Sequence, residues 1–530
     1  MATGSNHPAL RFGCLIGVLL LLSGCTKVGP DFVKPAVAVN PQWLEAQGFP
    51  QVSTRAEDYR EWWQSFQDPA LAQLIQSAYE QNLPLQQAGV RVLAAQAQLG
   101  AVIGKLYPQS QQAAGSLTRV RESQASPTSG PGAPIYFWTS QYGLSASWEL
   151  DFWGKYRRAI EAADATLQAA IGDYDNALVS LTGDVAAAYI LLRTLEKRLQ
   201  IARQNVEVQR QSLRIANSRW RGGTTSKRDV EQAQTILDST EADIPTLESQ
   251  VRQTRNALCQ LLGLPPQELT QFGASPAVIP APPPQVAVGI PADLLRRRPD
   301  IRRAEWAAAA ECARIGAIKA DLYPSFTLTG SFGFQASDVG QYALGNIFNW
   351  ASRTGRGGPG FTWNILNYGQ ITNQVRVQDA RFQEAVLDYQ NTVLQAQREV
   401  EDALIAFLKG QERAQKLAAA VTAAQSSLEL ATKQYREGIT DFTTVLTAQQ
   451  ALLAQQDNLA LTLGDISSNL VKVYRALGGG WQLREGRDFI PAQIKTAMAQ
   501  RTNWGRLLSL PAVPALTTEE RRPDIRAPVW

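Results

Sequence analysis

Histidine is almost missing from this 530-residue chain: the single one, His7, stands just ahead of an apolar run. If that run is removed, no imidazole is left to ligate zinc or to act as base beside a serine or cysteine nucleophile. An enzyme would have to work with carboxylates alone, without a clustered nucleophile. Charge of one sign is not in excess either. The balance of 51 basic against 47 acidic residues offers no basic footprint for nucleic acid, so none is expected as a partner. The apolar run itself, "CLIGVLLLLSGC", is too short to cross a membrane as a helix, which takes roughly 20 residues. Beyond it only Cys259 and Cys312 remain, both in helical patterns. They read as buried, unpaired thiols, although an oxidising compartment leaves a disulfide open.

What is present begins with that run. Arg11 precedes it and small residues close it, as in a secretory signal covering residues 1–24. Leu22-Ser23-Gly24-Cys25 resembles the bacterial lipobox. The resemblance implies diacylglycerol on the Cys25 thiol and a third acyl chain on its amine. Each buried CH₂ would contribute about 0.8 kcal/mol to anchoring. Thr26 in place of aspartate favours the outer membrane under the sorting rule the same resemblance implies. Apart from this covalent lipid, no cofactor and no metal is expected.

The chain also repeats itself. "SRWRGGTTS" at Ser218–Ser226 returns as "KQYREGITD" at Lys433–Asp441, 215 positions on. Leu106-Tyr107-Pro108 returns as Leu322-Tyr323-Pro324, and Trp148, Trp153 and Gly154 as Trp363, Tyr368 and Gly369. The organisation predicted is an anchor and belt segment at 25–67, a first repeat at 68–263, a Pro-rich linker at 264–290, a second repeat at 291–478 and a C-terminal belt segment at 479–530.

Each repeat carries a very long helical pattern, 155–221 and 370–436. Apolar positions run from Leu167, Ile171 and Tyr174 to Trp220 in steps of four and three, and from Phe382, Val386 and Tyr389 to Tyr435 in the second copy. One gap interrupts each, at Gln209 and Gly410. A sustained 3.5-residue repeat marks coiled-coil packing. About 65 residues at 1.5 Å each give about 100 Å, too long for a globular core. Tips at 222–226 and 437–441 lead to return helices at 227–262 and 442–477. Pro245 is a candidate kink in the first.

Ahead of each long helix the period changes to two. Tyr142, Leu144, Trp148 and their neighbours alternate with small polar residues, as do Phe326, Leu328 and Phe332. Apolar on one face and small-polar on the other is the pattern of an outer-membrane barrel strand, and ten residues is a spanning length. Weaker partners are read at Gln111–Arg121 and Gly360–Leu366, which gives hairpins near 110–150 and 325–366 and puts Trp363 with the lipid-facing residues. Four strands cannot close a barrel, because an open edge in lipid strands its backbone groups. Several copies must close it together; three would give twelve strands.

With strand hairpin, long helix, tip and half-length helix found twice, the chain resembles the TolC-like outer-membrane factors, and is most similar to their lipid-anchored efflux branch. The residues that carry this are Cys25 followed by "VGPDFVKP", "DPALAQLIQSA", the tip pair, "LLRRRPDIRRAE" at Leu294–Glu305 and "RTNWGRLL" at Arg501–Leu508. The fold class expected is an internally duplicated α+β membrane protein. The resemblance implies a homotrimer whose 12-stranded β-barrel continues into a periplasmic α-helical barrel. It implies passive conduction of small molecules out of the cell, from an inner-membrane pump of the resistance-nodulation-division type through a periplasmic adaptor. Gly223, Thr225, Gly438 and Thr440 would shape the adaptor-docking tips. The apolar and acidic rings seen near this end in related channels are missing, Thr443, Thr444 and Thr447 standing there instead. Asp229, Glu231, Asp441, Thr443 and Thr447 are therefore the gate candidates. "RRRPDIRRAE" reads as a loop entering a helix, with Asp300 near its start and arginines partly solvated.

Two alternatives remain open on the sequence alone. A channel of the same architecture would serve type I protein secretion, and genome neighbours would separate the two. A non-conducting lipoprotein scaffold would keep its period-two segments in water.

Overall fold

The computed structural model describes residues 27–55, 57–123, 125, 134–272, 278–339, 344–509, 514 and 516–518. Cys25 lies outside them, as does the stretch "RRPDIR" at 521–526, which repeats residues 297–302.

Two helices, α1 (Pro69–Gln81) and α2 (Leu83–Gly104), precede a hairpin of β2 (Ser110–Arg121) and β3 (Tyr136–Leu150). The long helix α3 (Lys155–Arg221) and the return helix α4 (Lys227–Leu261) follow. The second repeat runs through α5 (Pro299–Lys319), β5 (Ser325–Ser337), β6 (Arg353–Thr362), the long helix α6 (Gln370–Arg436) and the return helix α7 (Phe442–Ala476). A last helix, α8 (Ala492–Arg501), lies in the C-terminal segment. Both long helices have 67 residues and start after a glycine at positive φ, Gly154 at +76° and Gly369 at +82°. Helix α4 is continuous through Pro245.

The spacing of four and three buries the expected stripe. Ile171, Leu178, Val185, Tyr389, Val393 and Val400 are all fully buried. The two gaps have different causes. A side chain at Gly410 would meet Ile466 of α7, so the glycine lets the two helices approach. Gln209 is buried beside a polar layer in which Gln449 of α7 donates to Ser212 at 2.7 Å. Trp220, expected at the end of the stripe, is exposed, whereas its counterpart Tyr435 is buried.

The half-length helices stack end to end. At the joint of α4 and α2, the Asn82 carboxamide accepts from Leu85 N–H as N-cap of α2 and donates to Leu261 O, 2.8 Å, at the end of α4. At the joint of α7 and α5, Arg298 stands at the N-cap of α5 and donates to Ala476 O, 2.9 Å, at the end of α7. Each joint therefore satisfies a terminal carbonyl that a helix end leaves open.

Arg298 and Arg302 are buried, not partly solvated as the sequence suggested. Arg298 pairs with Asp300 and Glu399, 2.6 and 2.7 Å. Arg302 joins Arg484 on the fully buried Asp175 of α3, and its guanidinium lies over the Trp481 ring. Asp300 belongs to the motif itself, but Glu399 stands on α6 and Asp175 on α3, so the local pattern "RRRPDIRRAE" did not contain those partners.

Around the joints lie the segments outside the repeats. A short parallel pair, β1 (Val52–Ser53) with β4 (Val286–Ala287), ties the N-terminal segment to the linker. Trp43 donates to Gly289 O at 3.1 Å, and Trp62 stacks on Tyr474. Nearer the N-terminus the chain forms a strap. It starts where Val28 N–H donates to Trp153 O, 3.0 Å, and runs along α6, taking hydrogen bonds from or giving them to Gln390, Gln397 and Glu401. Cys259 and Cys312 are buried and unbridged.

Candidate functional site

The four long strands form one antiparallel sheet in the order β2-β3-β5-β6. Its rows follow from the register. Tyr142 faces Phe334, Leu144 faces Phe332, Trp148 faces Leu328 and Leu150 faces Phe326, all on one side. The opposite side pairs Gly143 with Gly333, Ser145 with Ser331 and Ser147 with Thr329. Leu144, Leu328 and Phe332 are exposed, as apolar side chains in water are not unless something covers them.

The fourth strand differs from the sequence expectation. It covers Arg353–Thr362, and residues 363–366 follow it as coil. Glycine at 355, 357, 358 and 360 leaves four of the ten positions without a side chain, which broke the alternation and hid the strand. Trp363 and Ile365 supplied an alternation that belongs to the exit from the sheet. Trp363 keeps a defined role there. Its indole N–H donates to Leu322 O at 3.1 Å, as the Trp148 indole donates to Leu106 O at 3.0 Å.

Both sheet edges, β2 and β6, are unpaired among the described residues. The helices repeat this incompleteness. Helix α5 packs against both long helices, whereas its counterpart α2 packs against one of them, α3, and against the C-terminal segment. Helix α7 likewise packs against both long helices, whereas α4 lies mainly on α3. The face of α6 that would fill these places is bare. Val377, Leu387 and Leu394 are each more than half exposed, yet their counterparts on α3, Ala162, Gly172 and Val179, are buried. Trp153 stacks on Tyr323 at 4.8 Å; the corresponding pair, Tyr368 and Tyr107, are apart, and Tyr368 is 96% exposed.

At the far end of the long helices are the tips. Gly223 and Gly438 hold φ of +71° and +77°, a conformation other residues adopt only with strain. Gly223, Gly438 and Ile439 are exposed; Thr225 and Thr440 are half-buried. Asp229 is buried in the tip core. It accepts from Thr225, from Ser226 at 3.3 Å and from Tyr435 at 3.4 Å, and so links the two tips. Burial, with the Asp229 charge beside it, raises the Tyr435 phenol above its ordinary value and keeps it a donor. Arg219 lies over the Tyr435 ring at 4.5 Å. Glu231 and Asp441 are exposed. Glu231 pairs with Lys227, and Asp441 caps α7 by accepting from Thr444 N–H at 3.1 Å. Thr443 and Thr447 are exposed on the first turns of α7. Among the described residues no group of His, Cys, Asp or Glu is arranged to hold a metal.

Comparison with known proteins matches the chain to the family described as outer membrane efflux protein, in two segments, residues 74–264 and 290–479. Nodulation protein T of Rhizobium leguminosarum bv. viciae is 32% identical over 91% of this chain and 96% of its own length. The pyoverdine export outer membrane protein OpmQ of Pseudomonas putida is 30% identical over 89% and 98%. Among solved structures, the outer-membrane channel OprN superposes with a TM-score of 0.80 at 32% identity, covering 86% of this chain and 99% of that one.

Proposed function

Because this chain belongs to the outer membrane efflux protein family, we propose that three copies close into a single conduit that carries small molecules out of the cell. It is an outer-membrane efflux component; the family and its structural neighbours are transport channels. The single observation that carries the assembled form is the match between what is bare and what is missing. Edge β6 and the bare face of α6 lie at one side of the chain; edge β2, with α2 and α4 short of a second long helix, lies at the other. A rotation that sets one side on the next copy repeats the contact already made between the two repeats. Two copies would give eight strands, an interior filled by side chains; three give twelve and leave room for a lumen.

In this assembly Tyr142, Leu144, Trp148, Phe326, Leu328 and Phe332 face lipid, and the long helices form a hollow shaft in the periplasm. Cys25 carries the lipid that anchors the chain in the outer membrane; Lys27, two residues on, is held by Glu161 of α3 at 2.6 Å. The tips around Gly223, Thr225, Gly438 and Thr440 receive a periplasmic adaptor, which seals the shaft to an inner-membrane pump of the resistance-nodulation-division type. Glu231, Asp441, Thr443 and Thr447 line the periplasmic mouth as rings. Transport is passive, its energy supplied by the pump.

The test is deletion of the gene followed by a panel of drugs, dyes and metal ions, with the purified protein reconstituted in planar bilayers. Increased sensitivity to part of the panel and a threefold channel are expected. Unchanged sensitivity together with a non-conducting monomer would refute the proposal.

A further inference from the structure

Three arginines stand on the apolar side of the sheet at its outer end. The register fixes their side. Arg119 faces Trp138 and Arg121 faces Tyr136, in the rows that continue Tyr142 and Leu144. Arg353 faces Phe334, which faces Tyr142. All three are exposed and, among the described residues, none has an ion-pair partner. Aromatic rings interleave with them. Arg119 lies 6.0 Å from the Tyr136 ring and 5.9 Å from that of Trp138, Arg121 lies 5.6 Å from Tyr136, and Arg353 lies 4.7 Å from Trp350.

Depth places this cluster. From Trp148 to Trp138 the strand rises ten residues, about 33 Å along its axis and about 25 Å of depth at an ordinary barrel tilt. That is the height of the apolar band, so the two tryptophans mark its two boundaries and the arginines sit at the outer one. Arginines i and i+2 on one strand are about 7 Å apart, so an anion held between them relieves their mutual repulsion. The neighbouring acids do not supply it. Residues 119–139 contain only Glu122 and residues 336–356 only Asp338, and the Asp338 carboxylate accepts from Trp138 N–H at 2.7 Å.

We propose that Arg119, Arg121 and Arg353 form a binding site for the phosphate groups of an anionic glycolipid in the outer leaflet. The inference rests on the closed barrel proposed above. Arg121 ends edge β2 and Arg353 begins edge β6, so closure brings Arg353 of one copy beside the Arg119 and Arg121 of the next. Each seam then offers three guanidinium forks, the geometry that grips phosphate oxygens, with aromatic faces that hold the sugar and headgroup region. The site bridges two copies and fastens the seam.

The experiment uses purified trimers in nanodiscs with a phosphorylated lipopolysaccharide, its enzymatically dephosphorylated form, or phosphatidylethanolamine alone. Native mass spectrometry counts bound glycolipid. The wild type is expected to retain the phosphorylated form at least tenfold more than the variant R119Q/R121Q/R353Q, and to show no such difference for the dephosphorylated form. Arg356, which faces Ser331 on the opposite side, is the control, and R356Q should bind as the wild type does. Equal retention by the triple variant overturns the site. Displacement by millimolar inorganic phosphate with no preference for glycolipid overturns the lipid as its ligand. Protein that is monomeric before any glycolipid is added refutes the closed barrel instead, a result visible on its own.

Discussion

Tyr435, at the end of the second long helix, donates to Asp229, at the start of the first return helix, and so ties one tip to the other. Asp229 therefore differs from the other carboxylates at this end. It is a clamp buried inside the chain, while Glu231 and Asp441 face solvent. Asp229→Ala leaves the Tyr435, Thr225 and Ser226 hydroxyls short of an acceptor and should cost about 1–3 kcal/mol locally. Hydrogen exchange at residues 219–232 and 435–445 checks it: protection should fall in both tips together. Loss confined to the first tip would mean the link does not couple them.

Asp441→Asn and Glu231→Gln should change ion selectivity of the reconstituted channel without changing the stability of the trimer. Reversal potentials in a salt gradient measure this. A shift towards anions by both substitutions is expected if the two residues form rings of negative charge, because each removes three charges from the mouth. Unchanged potentials would take both residues off the list.

Tyr107 and Tyr368 should meet across the interface as Trp153 and Tyr323 meet within the chain. The double variant Tyr107→Cys/Tyr368→Cys, oxidised in membranes, should give covalent trimers on non-reducing gels; either single variant should not. Covalent bonding confined to single chains would contradict the rotation that joins the copies.

Leu387→Glu and Leu394→Glu put charge where the next copy is to pack. Each forfeits the roughly 1.5–3 kcal/mol of a buried leucine at three interfaces per assembly and adds an unpaired charge. Trimers resistant to dodecyl sulfate should vanish while the monomer keeps its helical circular dichroism. Persistence of the trimer would show that this face stays in water.

The two joints should carry unequal weight. Asn82→Ala removes one N-cap and one carbonyl partner, about 1–2 kcal/mol. Arg298→Ala removes charge-assisted bonds to Asp300 and Glu399 as well, and about 1.5–3 kcal/mol is expected. Urea unfolding of the two variants ranks them.

How much of this was legible in the sequence follows from range. The long helices, the tips and strands β3 and β5 announce themselves through local pattern, which a single chain displays in full; β2 shows it more weakly. The fourth strand was placed too far along the chain, because Gly355, Gly357, Gly358 and Gly360 interrupt its alternation. The polar contacts were equally hidden. Ser212 meets Gln449 from 237 positions away, and Asp175 meets Arg484 from 309. A polar residue in a helical stripe looks like an interruption until its partner on another helix is known. The duplication exposed more than any motif did. It made Tyr368 and Leu387 conspicuous, since each stands bare where its counterpart is covered.

The strap has a consequence for the order of events during maturation. Its contacts with Gln390, Gln397 and Glu401 join residues 354 to 359 positions apart. Closing a loop of such length carries an entropic cost that local pairs do not. The strap can take its place on α6 only once that helix has been made. A chain truncated before Gln390 keeps the contact at Trp153 and lacks those on α6. A docked strap therefore requires the entry to α3 and the first half of α6 to be in place, one from each repeat.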